Sequence, residues 1–356
     1  MAKSHDTKII SIISGKGGTG KSLFTAVLGN CLSKENCRVL LVDMDIHVRG
    51  LTILLSKYMG TSDERMSVAK CLEEQEDNDN SFAIFRFQEC EFMPSVLDIA
   101  EPLNRNYDKK IFDVFFERLE QFVNQKYDIV LLDCRSGLDD MLVSSARHSD
   151  FIIAISEDDD VCLQANTNLV NYLRYNENIN NIYTVINKGR RIKTKDDIET
   201  KINNIFDFSC IGAIPFDERI MEDYGKDRFW LSLYETLYFY GIVRFWRRFQ
   251  EKTQLSFKID EERYDFKLET GENDTRVRTR SYTRIFRIYG LCSLIVGVML
   301  PLVAQFTSAY YAVSFGSIGT LLSVIGLILL FASSQRFRMF LLGKSDNPEK
   351  LKKEEK

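Results

Sequence analysis

KIISIISGKGGTGKS, residues Lys8–Ser22, sets a β-branched apolar run directly before a glycine-rich turn ending in Lys-Ser. The run Lys8–Ser14 reads as a strand, and Lys21–Leu32 reads as the helix that follows the turn. Between them, Gly15-Lys16-Gly17-Gly18-Thr19-Gly20-Lys21-Ser22 completes the pattern G-x-x-x-x-G-K-[ST]. With a strand before and a helix after, that pattern is a phosphate cradle. Its glycines permit positive φ and close backbone approach, so successive N–H groups can ring an anion. The helix dipole adds to the field at the same point. Lys21 is expected to neutralise β- and γ-phosphate charge, and Ser22 to ligate Mg²⁺.

Working outward, further strands are expected at Arg38–Asp43, Gln88–Pro94, Tyr127–Asp133, Phe151–Ser156, Ile182–Asn187 and Cys210–Pro215. Most are continuous apolar runs, the signature of parallel strands buried on both faces. Helical periodicity fills the intervals at Lys109–Val123, Cys162–Tyr172 and Asp196–Ile205. Strands alternating with helices imply an α/β fold, a doubly wound and mostly parallel sheet with its ligand at the carboxyl ends of the strands. The acidic stretch Met59–Phe82 reads as a solvated loop or short helical cover. In Trp230–Phe249, dense aromatics precede Arg247 and Arg248; this is read as the final helix packed on the sheet, with a helix lying at a membrane surface as the alternative.

The 356 residues carry 47 Lys+Arg and 51 Asp+Glu, a net charge of −4, which argues against a nucleic-acid partner. Eight cysteines without a C-x-x-C pair, and three histidines, argue against a disulfide scaffold or a zinc ribbon. The start, MAKSHDTK, has no signal-peptide core. From Ile288 to Gln335 there is no charged residue and no histidine, enough for two spans of about 20 residues each. The spans are placed at 288–306 and 309–332, with arginines on both flanks. This predicts a multi-pass protein of the cell membrane, a lipid-embedded hairpin with both termini cytoplasmic. The expected organisation is an ATPase domain over 1–250, a charged extension over 251–284, the hairpin over 285–335 and a cytosolic tail over 336–356.

The second lysine of the turn, Lys16, is not needed by an ordinary P-loop. With it, the chain resembles the MinD/ParA family of deviant Walker A ATPases, whose motif is KGGxGK[ST], and the resemblance runs along most of Lys8–Asp217. It implies that Lys16 reaches the phosphates of a second copy, in a homodimer bridged by ATP. By the same resemblance Asp45 positions the attacking water, Asp43 helps hold the magnesium hydration shell, and Asp133 reaches Mg²⁺ as a Walker B carboxylate. Asn187 would read adenine and Pro215 would line the adenine pocket. Gly50, where MinD-type proteins carry an asparagine, and Arg135, commonly proline, depart from the pattern and imply slow hydrolysis. His47 receives no role. The function implied is a membrane-anchored ATPase switch that recruits or regulates a protein partner. A tyrosine autokinase with the same P-loop and an ATP-gated membrane effector are the alternatives, while DNA partitioning is disfavoured by net charge and by the expected anchor.

Overall fold

The computed structural model describes residues 7–260 apart from 61–65, 74–81, 101–106, 108, 191, 193–195, 197–199, 201–209, 224–225 and 227–228. The strands are β1 (Lys8–Ser14), β2 (Val39–Asp43), β3 (Phe85–Phe87), β4 (Cys90–Met93), β5 (Ile129–Ser136), β6 (Phe151–Glu157), β7 (Ile182–Gly189) and β8 (Cys210–Pro215). They form one eight-stranded sheet in the order β3-β4-β2-β5-β1-β6-β7-β8. All neighbours are parallel except β3 with β4. β1 lies between β5 and β6, so the chain turns to the opposite side of the sheet at β1. The crevice at that reversal is where an open α/β sheet receives its ligand.

Side-chain alternation splits the core in two. Ile10 and Ile12 of β1 face a layer that includes Phe24, Val27 and Leu28 of α1 (Lys21–Lys34) and Phe245 and Trp246 of the last described helix. Ile9 and Ile13 face Phe115, Phe116 and Leu119 of α4 (Lys109–Val123) and Leu142 of α5 (Asp140–Arg147). α6 (Asp160–Asn176) joins that second layer through Leu169, Val170 and Leu173. With both faces covered, the inner strands have no polar face, which is why they read as unbroken apolar runs.

The expected strands are found with ends shifted by a few residues. The short elements without an expectation include β3, α2 (Gly50–Leu55) and α5. α3 (Val68–Glu73) is the short helical cover expected within Met59–Phe82, and Val68, Ala69, Cys71 and Leu72 are buried. The helix expected over Asp196–Ile205 falls mostly outside the described residues. α7 (Glu218–Asp223) and α8 (Phe229–Ser232) lead into α9 (Leu237–Thr253), capped by Thr236 accepting from the Phe239 amide at 3.1 Å. Trp230, Phe239, Phe245, Trp246 and Phe249 are all buried. The aromatic run therefore serves the core of the sheet, and the membrane-surface alternative is set aside.

The expected multi-pass location is corrected. Among the described residues no helix is long and apolar enough to cross a membrane. The longest, α6 and α9, have 17 residues each. A helix of that length spans about 26 Å, short of the roughly 30 Å hydrocarbon core, and α9 carries Arg244, Arg247, Arg248 and Lys252. The stretches 288–306 and 309–332, on which the lipid-embedded hairpin rested, lie outside the described residues. The chain divides into two units, Met1–Leu268 and Glu269–Lys356, and every described residue belongs to the first.

Candidate nucleotide-binding site

The carboxyl ends of the central strands gather the expected residues. The P-loop leaves β1 and re-enters α1 through Gly18 (φ 80°) and Gly20 (φ 90°), left-handed conformations that a side chain resists. A Cβ at Gly15 would stand 2.3 Å from the Ala165 carbonyl oxygen, so this position lets α6 press directly on the loop. The Gly15 amide faces Asn166 Oδ1 at 3.4 Å.

The two lysines of the loop sit differently. Lys21 is buried, 8% exposed, and donates from Nζ to Ser14 Oγ at 2.9 Å and to Ser136 Oγ. Burial lowers its pKa, and the charges of Asp133 and Asp45 oppose that. Lys16 is exposed. Its charge is felt at Asp159, whose carboxyl is held below its usual range first by hydrogen bonding from Cys162 and further by Lys16.

Asp43, the last residue of β2, and Asp133 of the adjacent β5 stand in direct register and are both buried. Burial raises the pKa of each. At Asp133 the neighbouring Asp43 charge adds to the rise, while Lys21 and the Ser22 hydroxyl oppose it. At Asp43 the donors of Thr52 oppose it. Asp43 Oδ2 accepts from Thr52 N and Thr52 Oγ1, each at 2.7 Å, and from Ser95 Oγ at 3.3 Å. Its Oδ1 accepts from the Asp45 amide at 3.0 Å. The carboxylate thus ties β2, α2 and the end of β4 together, a role the sequence reading did not foresee. Thr52 and Ser95 carried no local signal, because each is a lone hydroxyl, 9 and 52 positions from Asp43, with no motif to single it out. Asp45 is partly buried and accepts from the Val48 amide at 2.9 Å.

The residues fit ATP with Mg²⁺ on their own geometry. Asp133 Oδ1 and Thr19 Oγ1 are buried without a hydrogen-bond partner; such orphaned oxygens are costly unless a ligand or ion completes them. Ser22 and Asp133 would hold the metal, which would neutralise phosphate charge and orient the triphosphate.

Of the two departures, Gly50 has a spatial cause. A Cβ there would lie 2.5 Å from Ser22 Oγ, so the start of α2 rests against the expected magnesium ligand. Gly50→Ala is expected to turn the Ser22 hydroxyl away and to raise the Mg²⁺ concentration for half-maximal ATP binding about tenfold, the loss of one good hydrogen bond. Titration of ATP binding against Mg²⁺ checks this; an unchanged midpoint would show that Ser22 is not held by that packing. Arg135 is exposed on the rim and pairs with Asp139 at 3.6 Å. His47 is exposed.

At the base side, Asn187 is buried and donates from Nδ2 to the Thr19 carbonyl at 2.7 Å, leaving Oδ1 without a partner. The amide nitrogen expected to face a base is thus engaged by the P-loop. Pro215 is buried with its ring against α9, 2.9 Å from where a Cβ on Gly241 would stand.

Comparison with known proteins agrees with this architecture. The AAA domain family model matches residues 7–188, just over half of the chain. A putative septum site-determining protein MinD from Oltmannsiellopsis viridis is 26% identical over 220 residues, covering 60% of this chain and 66% of that protein. The fold is shared with the MinC:MinD cell division protein complex of Aquifex aeolicus (TM-score 0.54, 19% identity, 69% of this chain and 96% of that one). It is shared also with MinD complexed with Mg-ADP from Pyrococcus horikoshii (TM-score 0.50, 22% identity, 67% and 94%). The phosphate loop at the sheet's reversal, the paired aspartates of β2 and β5 and these likenesses together place the chain in the MinD/ParA family of P-loop ATPases, enzymes that bind ATP with Mg²⁺ and hydrolyse it.

Proposed function

We propose that this chain is an ATP-driven dimerisation switch. Two copies close over two ATP–Mg²⁺ molecules, the closed dimer recruits or regulates a protein partner, and hydrolysis reopens it. The observation that carries the reading is the division of labour between the lysines: Lys21 is buried against its own loop, while Lys16 stands exposed on the same loop. A cation that serves its own nucleotide gains from burial beside the phosphates; one that serves a neighbour's must project. Val48 and Leu138, on the loops that follow β2 and β5, and Val161, in the first turn of α6 after β6, are 65%, 50% and 66% exposed. Exposed apolar side chains beyond the carboxyl ends of three strands suit a surface that becomes covered.

In this reading Asp45 accepts a hydrogen bond from the attacking water and orients it. Asp133 and Ser22 hold magnesium, and the P-loop amides hold the phosphates. The Aquifex neighbour is a cell division complex of MinD with MinC, which supports a protein as the partner and cell division as the setting.

Phosphate release and light scattering, measured on the full chain with ATP and Mg²⁺, test it. Asp45→Ala is expected to bind ATP, to accumulate as a dimer and to release phosphate about 10²-fold more slowly. Lys16→Ala is expected to bind ATP with near-normal affinity, to remain monomeric and to lose turnover to a similar extent. Equal phosphate release from all three proteins, or a monomer throughout in Asp45→Ala, would overturn the switch. Label from γ-phosphate retained on tyrosine would instead mark a kinase.

A further inference from the structure

Two consecutive carbonyl oxygens of the P-loop are gripped from outside the loop by the end of β7. Asn187 Nδ2 donates to Thr19 O at 2.7 Å, and Lys188 Nζ donates to Gly18 O. The same ammonium pairs with Glu157 Oε1 at 2.8 Å, on the neighbouring strand β6. Glu157 and Asn187 stand in register across those strands.

A trans peptide carries its C=O and its N–H on opposite sides of one rigid plane. Anchoring Gly18 O toward Lys188 therefore aims the Thr19 N–H away from Lys188. Anchoring Thr19 O toward Asn187 likewise aims the Gly20 N–H away from Asn187. These are two of the amides that a P-loop offers to phosphate. Without such anchors, a turn with glycines on both sides of Thr19 could rotate these planes freely.

The grip is close. A Cβ on Gly20 would lie 2.6 Å from Asn187 Nδ2 and 3.6 Å from Lys188 Cε. Lys188 itself adopts φ 54°, a left-handed conformation that side-chain-bearing residues hold only when their surroundings impose it. Its side chain is 34% exposed and that of Glu157 25%, so the pair is sheltered without being sealed, and both ends of the lysine are engaged.

We propose that Lys188, oriented by Glu157 and acting with Asn187, is a positioning residue that presets the Thr19 and Gly20 amides for the polyphosphate chain of the bound nucleotide. It touches the loop, and acts on the ligand through it. The inference rests on the P-loop being the ATP site and adds the group that holds the loop ready.

Calorimetric binding of Mg-ATP and of inorganic tripolyphosphate to the full chain tests it, beside Lys21→Ala as a control. Lys188→Met keeps the aliphatic stem and removes the donor. It is expected to weaken both ligands about tenfold, since tripolyphosphate has no base, and to raise KM by the same factor with kcat within about twofold. Lys188→Arg is expected to recover most of the affinity. Glu157→Gln should lose about threefold, and Lys188→Met with Glu157→Gln should be no weaker than Lys188→Met alone, because Glu157 acts through Lys188. Unchanged affinity in Lys188→Met while Lys21→Ala abolishes binding would overturn the clamp. So would additive losses in the double variant, or a loss confined to ATP and absent for tripolyphosphate. If wild type and Lys21→Ala bound ATP alike, it would be the ATP site that failed.

Discussion

Lys21→Ala is expected to lower ATP affinity at least about a hundredfold, the cost of leaving a buried anion without its cation. Lys21 is held in place before any ligand arrives, by Ser14 Oγ and Ser136 Oγ, with Asp133 as the leading source of attraction. An ammonium so placed has already given up most of its water. Its meeting with the triphosphate is therefore not opposed by a second desolvation, and the phosphates gain a strong partner. The fold should survive the substitution. Burial already disfavours the charged lysine, and Asp133, whose pKa burial raises, can take up a proton once its neighbour is gone. Equilibrium binding of ATP together with a thermal melt checks both halves. Near-normal affinity would place the phosphates elsewhere, and a collapsed melt would mean that Lys21 is chiefly structural.

The second large effect is on stability. Trp246→Ala is expected to destabilise the domain by about 3–5 kcal/mol, seen as a lower denaturation midpoint in urea. Trp246 is fully buried and packs on Phe249 with ring centroids 5.3 Å apart. Its Nε1 donates to the Phe257 carbonyl at 2.9 Å. The adjacent Phe245 meets Phe24 of α1 edge-on at 5.5 Å, so α9 braces the helix that begins at the P-loop. Truncating the indole opens a cavity and removes the donor to the Phe257 carbonyl in the same stroke. Trp246→Phe keeps most of the apolar volume and should cost about 1–2 kcal/mol. Leu231, 80% exposed, should become alanine within about 0.5 kcal/mol. A midpoint unmoved by Trp246→Ala would mean that α9 is not part of the core and would reopen the surface reading of the aromatic run.

The elements that could be read without coordinates share a property: their signal is contiguous. Lys8–Ser14 and Phe151–Glu157 announce themselves because a strand covered on both faces needs apolar residues at every position. The loop Gly15–Ser22 does so because its glycines, lysine and serine act through the backbone that links them. α2 and α5 were missed because six and eight residues supply too few turns for a helical period to show. α5 still carries its start signal, since Asp139 accepts from the Leu142 amide at 2.7 Å, but an aspartate before so short a segment reads equally as a turn. Gly50 departs from the family pattern for a reason invisible in one dimension, the position of Ser22 Oγ across the site.

Composition and motif order alone were enough to assign a mostly parallel α/β sheet with a phosphate loop after its first strand, because local backbone chemistry carries both. Folding was required to show that Asp43 spends its oxygens on Thr52, Ser95 and the Asp45 amide. It was also required to show that the aromatic segment faces inward and that Asn187 and Lys188 hold Thr19 and Gly18. Those last two bonds join residues 168 and 170 positions apart. Partners so distant are brought together by the order in which strands pair, and no periodicity along the chain records that order.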